Sequence, residues 1–111
     1  MVYARIARFE GGDPGRIDAQ VAEMRMQMQG ARSGELPADA PEGVRTLMET
    51  VSRFMHFVDR KSGTSVGIAF CETEDEMQRA DAALNQMSPE EGGGRRTSAE
   101  IFELALDENF R

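Results

Sequence analysis

The sequence predicts a single α+β domain whose elements follow the order β-α-β-β-α-β. Three observations predict it: an apolar strand followed by a capped helix opens the chain, a tight turn joins two strands that lead into a second capped helix, and another strand closes it. This order is typical of a split βαβ sandwich, a four-stranded antiparallel sheet with two helices on one face.

Length and charge narrow the class of protein further. The chain has 111 residues, enough for one domain spanning 1–111, and a net charge of −7, which disfavours a nucleic-acid partner because phosphate binding needs a basic face. No apolar run reaches the roughly 18 residues of a membrane helix, and the start lacks a signal-peptide core. We therefore expect a cytoplasmic protein with no membrane partner. The single cysteine, Cys71, rules out an internal disulfide and a cysteine metal cluster.

The first strand and helix are predicted from the start of the chain. Residues 1–9 are apolar on both faces, and only Arg5 and Arg8, on opposite faces, interrupt them. Asp13 and Pro14 are typical of a helix N-cap and first helical position. We expect a helix over 14–29 whose apolar stripe packs on the sheet.

A segment without apolar periodicity follows. Residues 30–43 contain three glycines and two prolines, which predicts a flexible insert, and residues 44–48 suggest a short helical turn.

The remaining elements are two paired strands, a helix and a last strand. The pattern predicts strands over 51–58 and 64–71, a capping box from Thr73 and Glu76, a helix over 74–87, a strand over 97–106 and a polar tail over 107–111. In the strand 51–58, one face should carry Phe54, His56 and Val58, and the other Val51, Arg53, Met55 and Phe57. We expect His56 to lie opposite Val66.

The strands 1–9, 64–71 and 97–106 are apolar on both faces, although two helices can cover only one face of the sheet. A second copy of the chain is the simplest cover, since most soluble oligomers are symmetric dimers and a large exposed apolar face favours aggregation. We therefore expect a homodimer formed through the sheet faces.

Several short segments, in this order and spacing, resemble the antibiotic biosynthesis monooxygenase-like (ABM) family. They are Val2-Tyr3-Ala4-Arg5, Asp13-Pro14, Asp59-Arg60 with Gly63, Val66-Gly67-Ile68, the run 71–76 and the run 98–103. The resemblance covers nearly the whole chain apart from 30–43. It implies a dimeric α/β barrel of ferredoxin-like subunits. Members include cofactor-free oxygenases of polycyclic aromatics, haem-degrading enzymes and many proteins with no assigned activity.

The catalytic residues of the known branches do not carry over. The haem-degrading branch has an asparagine on strand one, a tryptophan ending strand three and a histidine on the next helix, and this chain has none of these. The aromatic-oxygenase branch has a tryptophan, tyrosine, asparagine and arginine lining, to which only Tyr3, Arg5 and Arg53 could contribute. We expect no haem degradation, no cofactor and no metal site.

Each remaining candidate residue could have a structural role instead of a functional one. His56, the only histidine, is a weak candidate for a general base, or a partly buried structural histidine. Cys71 is expected to pack rather than react, because the neighbouring acid Glu72 raises a thiol's pKa, although it stands at a pocket position of the family. Arg5 and Arg53 need carboxylate partners, such as Glu100 or Glu103, unless they bind an anionic or carbonyl-bearing ligand.

Two functions remain open from the sequence. The first is binding of a small apolar or aromatic molecule between helices and sheet, by Tyr3, Arg5, Phe54, His56 and Cys71, with cofactor-independent monooxygenase activity as its catalytic form. The second is a non-catalytic dimeric protein-interaction module. A cavity between helices and sheet, lined by Tyr3, Phe54, His56, Cys71 and methionines, would favour the first, and a fully packed interior the second.

Overall fold

A computed structural model of the chain describes residues 1–32, 34, 41–87 and 94–111. These residues form four strands, β1 (Tyr3–Glu10), β2 (Val51–Val58), β3 (Ser65–Cys71) and β4 (Arg95–Glu103). They also form three α-helices, α1 (Ile17–Arg32), α2 (Glu42–Thr50) and α3 (Glu74–Asn85), with a 3₁₀ turn at Pro14–Arg16 before α1.

The four strands form one antiparallel sheet in the order β2-β3-β1-β4, with the helices on one face. This is the α+β, ferredoxin-like arrangement that the sequence predicts. The sequence pattern did not predict a full third helix. It suggested only a short helical turn at 44–48, whereas α2 runs over nine residues. It packs against α3.

The segment 30–43 is helical at both ends. α1 continues to Arg32 and α2 begins at Glu42, so residues 30–32 and 42–43 are helical, contrary to the prediction of an insert without regular structure. Residues 33 and 35–40 of the predicted flexible insert lie outside the described residues.

The faces of β1 and β3 alternate as predicted, but β2 departs from the prediction at its start. A register shift between Val51 and Arg53 pairs Val51 with Cys71 on the helix side, whereas Arg53 pairs with Phe70 on the open side. An extra residue of this kind reverses the simple alternation of a strand. After the shift, His56 lies opposite Gly67 and not opposite Val66 as expected.

Local hydrogen bonds confirm the predicted helix starts. The Glu76 amide donates to Thr73 Oγ1 (3.1 Å), and Thr73 Oγ1 donates to Glu76 Oε1 (3.0 Å), which makes the capping box. Asp13 Oδ1 accepts from the Gly15 amide (2.9 Å), but it caps the 3₁₀ turn and α1 follows.

The tightest part of the core lies at one end of the helix–sheet interface. Cys71, Met77 and Ala80 are fully or almost fully buried there. Three partly buried side chains pack against them: Tyr3, Leu47 and Val51.

The opposite face of the sheet is open, and no helix in the described ranges packs on it. Its outward side chains include Ala4, Ile6, Met55, Phe57, Val66, Ile68, Phe70 and Phe102. Phe57 is 51% exposed and Phe102 48% exposed, so large aromatic surfaces on this face meet solvent.

Across the described part of the chain, none of the helices has the length and apolar character needed to cross a membrane.

Candidate ligand-binding pocket

A pocket of about 210 Å³ lies between the helix layer and the sheet. Its apolar lining consists of Ala7, Phe9, Met24, Phe54, Gly67, Ala69, Leu84 and Met87. Its polar lining consists of Arg5, Gln20, His56, Ser65 and Arg96. The residues come from the four strands and from α1, α3 and the chain just after α3, so the pocket depends on the whole fold.

The floor of the pocket is made of small residues on the two central strands. Ala7 on β1 and Gly67 and Ala69 on β3 face the helices side by side. A Cβ placed on Gly67 would lie 3.4 Å from the Phe54 ring and 3.8 Å from His56 Nδ1. The missing side chain at Gly67 therefore leaves open the space beside these two rings.

One wall is formed by two rings of β2. Phe54 and His56 are two residues apart and therefore lie on the same face of the strand. Their ring centroids are 6.3 Å apart and their planes differ by 16°, so the rings are nearly parallel. They offer a flat surface for packing against a planar group.

His56 is poorly satisfied in this position. Its Nδ1 is buried and has no hydrogen-bond partner among the described residues. Burial lowers the pKa of the imidazole below its ordinary value, because the charged form loses hydration. His56 is therefore mainly neutral at neutral pH, and no carboxylate in the described part of the chain orients its Nδ1.

Arg5 crosses from the sheet to α3. Its side chain is only 4% exposed; Nε donates to Asp81 Oδ1 at 2.8 Å, and Nη2 donates to Asn85 Oδ1 at 2.8 Å. Asn85 Nδ2 also donates to Asp81 Oδ2 at 3.3 Å. The expected partners, Glu100 or Glu103, are not used: the carboxylate comes from α3, because Arg5 points toward the helices.

Arg96 caps the end of α3. Its Nη1 donates to the carbonyls of Leu84 (3.0 Å) and Met87 (3.2 Å), and its Nη2 to the carbonyl of Asn85 (3.1 Å). These carbonyls belong to the last turn of the helix and its exit, where the regular helical bonding ends, and the Leu84 carbonyl also accepts from the Met87 amide at 3.1 Å. A register shift in the β1–β4 pairing places Arg96 beside Phe9 on the helix side. Sequence reasoning missed this residue; its only signal was a basic side chain shortly after a predicted helix.

Three of the five predicted site residues meet in the pocket: Arg5, Phe54 and His56. Tyr3 and Cys71 do not line it, because they pack in the buried cluster around Met77. Burial, and then the Glu76 carboxylate, raise the pKa of the Cys71 thiol, so the acid that acts is Glu76 and not the sequence neighbour Glu72.

Arg53, the other arginine considered from the sequence, lies on the open face. Its guanidinium carbon is 6.0 Å from the centroid of the Phe70 ring. It therefore does not reach the pocket.

The lining residues outside the predicted site come from both layers of the fold. Gln20, Met24, Leu84 and Met87 belong to the helix side, and the others lie on strands: Ala7, Phe9, Ser65, Gly67, Ala69 and Arg96. Within the described residues, no three His, Cys, Asp or Glu side chains are grouped closely enough to hold a metal ion.

Comparisons with known proteins do not establish a family for the chain. No protein-family model matches the chain, and no curated protein matches it. The structure is similar to that of Rv0793 from Mycobacterium tuberculosis, with 14% identity over 100% of both chains and a TM-score of 0.44. The strand order and the placement of the helices define the fold: a ferredoxin-like α+β protein with a pocket between its two layers.

Proposed function

We propose that the chain binds a small apolar or aromatic molecule in the pocket between helices and sheet. The observation that carries this proposal is the pocket itself, a half-open cleft of about 210 Å³ between the two layers. Ligand sites are typically concave and mostly apolar, with a few polar groups, as this cleft is. The volume is below the roughly 300–1,000 Å³ of pockets for drug-sized ligands, so a molecule of one or two rings is the best fit.

The lining supports an aromatic ligand in particular. The nearly parallel rings of Phe54 and His56 can stack against a planar molecule, and the small floor at Gly67 lets it lie against the sheet. Met24 and Met87 add flexible, polarisable side chains that adjust to the shape of a ligand.

Cofactor-independent oxygenation of the bound molecule is the finer hypothesis that the resemblance to the ABM family suggests. His56 would be its general base, since a neutral imidazole can accept a proton. Nδ1, however, has no hydrogen-bond partner among the described residues, so none of them orients the ring through this nitrogen. The geometry therefore supports binding more strongly than turnover.

We also propose that a second copy of the chain covers the open face of the sheet, which would build the dimeric α/β barrel. The central strands present mostly apolar side chains on this face, with Arg8 near one end of β1, and the two edges carry opposite charges, Arg53 on β2 and Glu100 on β4. A twofold axis parallel to the strands would place these edges over each other. An isologous contact of this kind is the commonest form of protein dimer. The open face needs no foreign protein to explain it.

Binding can be tested with naphthol as the probe and isothermal titration calorimetry as the measurement. We expect the chain to bind naphthol with a Kd of roughly 1–100 μM, as for a small apolar ligand with few polar contacts. The variant Gly67→Val should lose binding, because its branched side chain extends from the pocket floor toward the Phe54 ring.

The matched control is Val66→Ile, which adds bulk to the neighbouring residue of β3 on the opposite face of the sheet. It should bind naphthol like the unmodified chain. Absence of binding by the unmodified chain would refute the proposal, as would equal binding by Gly67→Val with its circular dichroism unchanged.

A further inference from the structure

The polar part of the pocket contains two guanidinium groups, those of Arg5 and Arg96. None of the described residues that line the pocket carries a carboxylate. Taken by themselves, these side chains would indicate a site for an organic anion, since arginine is the preferred partner of carboxylates. The partners of each arginine lead to a different conclusion.

The charge of Arg5 is already balanced. Asp81 Oδ1 lies 2.8 Å from Nε, and the Asn85 amide oxygen lies 2.8 Å from Nη2. The Arg5 side chain is 4% exposed and the Asp81 side chain 29%, so water screens this partly buried pair less than it screens a surface pair. A ligand in the pocket therefore meets an ion pair with no net charge. Asp81 does not itself line the pocket.

The charge of Arg96 is directed at the end of α3. Its three hydrogen bonds of 3.0–3.2 Å all go to backbone carbonyls at this helix terminus. The C-terminal end of a helix carries a partial negative charge equivalent to roughly half an elementary charge. These bonds use three of the five guanidinium N–H groups, and the negative end of the helix offsets part of the Arg96 charge, so an anionic ligand gains less from Arg96 than from an unpartnered arginine. His56 adds no charge at neutral pH, because burial lowers its pKa.

We infer that the pocket selects an uncharged ligand over an organic carboxylate, and that Asp81, by pairing with Arg5, sets this selection. The inference rests on the proposed function, because it assigns the charge class of the ligand in the same pocket. A carboxylate entering the pocket would lose water and gain only the partly offset charge of Arg96, since the charge of Arg5 is balanced by Asp81, and this is unfavourable. The net charge of −7 on the chain adds a weaker repulsion.

The test compares two probes of nearly equal shape, naphthol, which is uncharged at neutral pH, and naphthoate, which is an anion. For the unmodified chain, we expect naphthol to bind at least about tenfold more tightly than naphthoate, as expected for one uncompensated charge in a partly dry site. Calorimetry or ligand-observed NMR gives both dissociation constants.

The variant Asp81→Asn then removes the balancing charge while keeping an oxygen that can accept from Arg5 Nε. We expect naphthoate to bind about tenfold more tightly to this variant, and naphthol to change by less than about twofold. Glu49→Gln is the matched control. It removes one carboxylate from the exposed ion pair with Arg79 (2.9 Å), away from the pocket, and should alter neither affinity.

The outcomes separate this inference from the proposed function. Naphthol binding accompanied by equal or tighter naphthoate binding would overturn the charge selection and leave the binding function standing. An unchanged naphthoate affinity in a folded Asp81→Asn variant, or an equal gain in Glu49→Gln, would overturn the role of Asp81. If Asp81→Asn does not fold, the ratio of the naphthoate and naphthol dissociation constants of the unmodified chain decides whether the pocket selects an uncharged ligand. Failure of both probes to bind would refute the proposed function, and the inference with it.

Discussion

His56 combines a favourable ring contact with an unmet hydrogen bond. The imidazole lies almost parallel to the Phe54 ring, yet its Nδ1 is buried without a partner. A buried polar atom without a partner costs about 1–3 kcal/mol relative to one that is hydrogen-bonded. His56 therefore lowers the stability of the folded chain at this position, and such locally unfavourable residues are common at binding sites.

This burial gives the stability of the chain a specific pH dependence. The pKa of His56 is lowered in the folded state, so the unfolded state binds more protons between that value and the ordinary pKa of about 6.5. The free energy of unfolding should therefore fall as the pH is lowered from about 6.5 toward the folded pKa, and this contribution should be flat above about 7. Urea unfolding at closely spaced pH values measures it.

The variant His56→Phe provides the comparison, since it keeps a ring beside Phe54 and removes the titrating group. Its free energy of unfolding should change less than that of the unmodified chain between pH about 7 and about 5.5, where few carboxylates titrate. Identical pH profiles for the two proteins would show that His56 does not titrate differently on folding.

Among the elements, the hairpin between β2 and β3 depends on one glycine. Gly63 has a φ of +78°, and its amide donates to the Asp59 carbonyl at 2.9 Å. A Cβ at this position would overlap the backbone carbonyl oxygen of Gly12, in the loop after β1. Gly63 thus fixes the turn and lets two loops approach each other closely.

Gly63→Ala should therefore destabilise the fold by at least about 3 kcal/mol, because backbone strain and a clash with a carbonyl act together. Gly11→Ala is a close control, since Gly11 also has a φ of +78° but has nothing within 4 Å of an added Cβ. It should cost only about 1–2 kcal/mol, the penalty of the left-handed conformation alone. Chemical denaturation measures both, and equal losses would contradict the clash.

The same element scale shows what the sequence could predict. The capping box at Thr73 and Glu76 and the hairpin turn were predictable because their chemistry lies within a few neighbouring residues. The reversed face of Val51 was not, because a register shift depends on how β2 pairs with β3. The full length of α2 was not predicted because the helix follows a segment whose sequence lacks apolar periodicity. A short helix of this kind gains much of its stability from packing, here against α3.

The pocket was predictable only where local sequence patterns determine which face of a strand a side chain occupies. Alternation along β2 placed Phe54 and His56 on one face, and Arg5 was a charge on an apolar strand that needed a partner. The identity of that partner, Asp81, depends on how α3 lies across the sheet, which no local pattern specifies. Cys71 was predicted on the correct face of β3, but it lies outside the pocket, at the end of the helix–sheet interface that Met77 of α3 fills.

The whole molecule has one closed and one open side, and this asymmetry leads to the proposed dimer. The helices cover the side of the sheet that holds the pocket, whereas the other side exposes apolar side chains from all four strands. Contiguous apolar patches larger than a few hundred Å² are uncommon on monomeric proteins. Pairing of two open faces would bury these side chains and stabilise both subunits by mass action.

Ile68 lies in the middle of the open face, paired with Ile6 on one side and Met55 on the other. Ile68→Asp should therefore convert the dimer to a monomer, because a carboxylate at the centre of the contact would be buried without a partner. Sedimentation velocity at micromolar concentration measures the change. Met26→Asp is the matched control: Met26 on α1 is 71% exposed and far from this face, so its variant should stay dimeric.

Unfolding gives a second measurement of the dimer. Because only folded subunits associate, the unfolding midpoint of the unmodified chain should rise with protein concentration, and that of Ile68→Asp should not. A concentration-independent midpoint together with monomeric sedimentation of the unmodified chain would disprove the dimer and leave the open face to another partner.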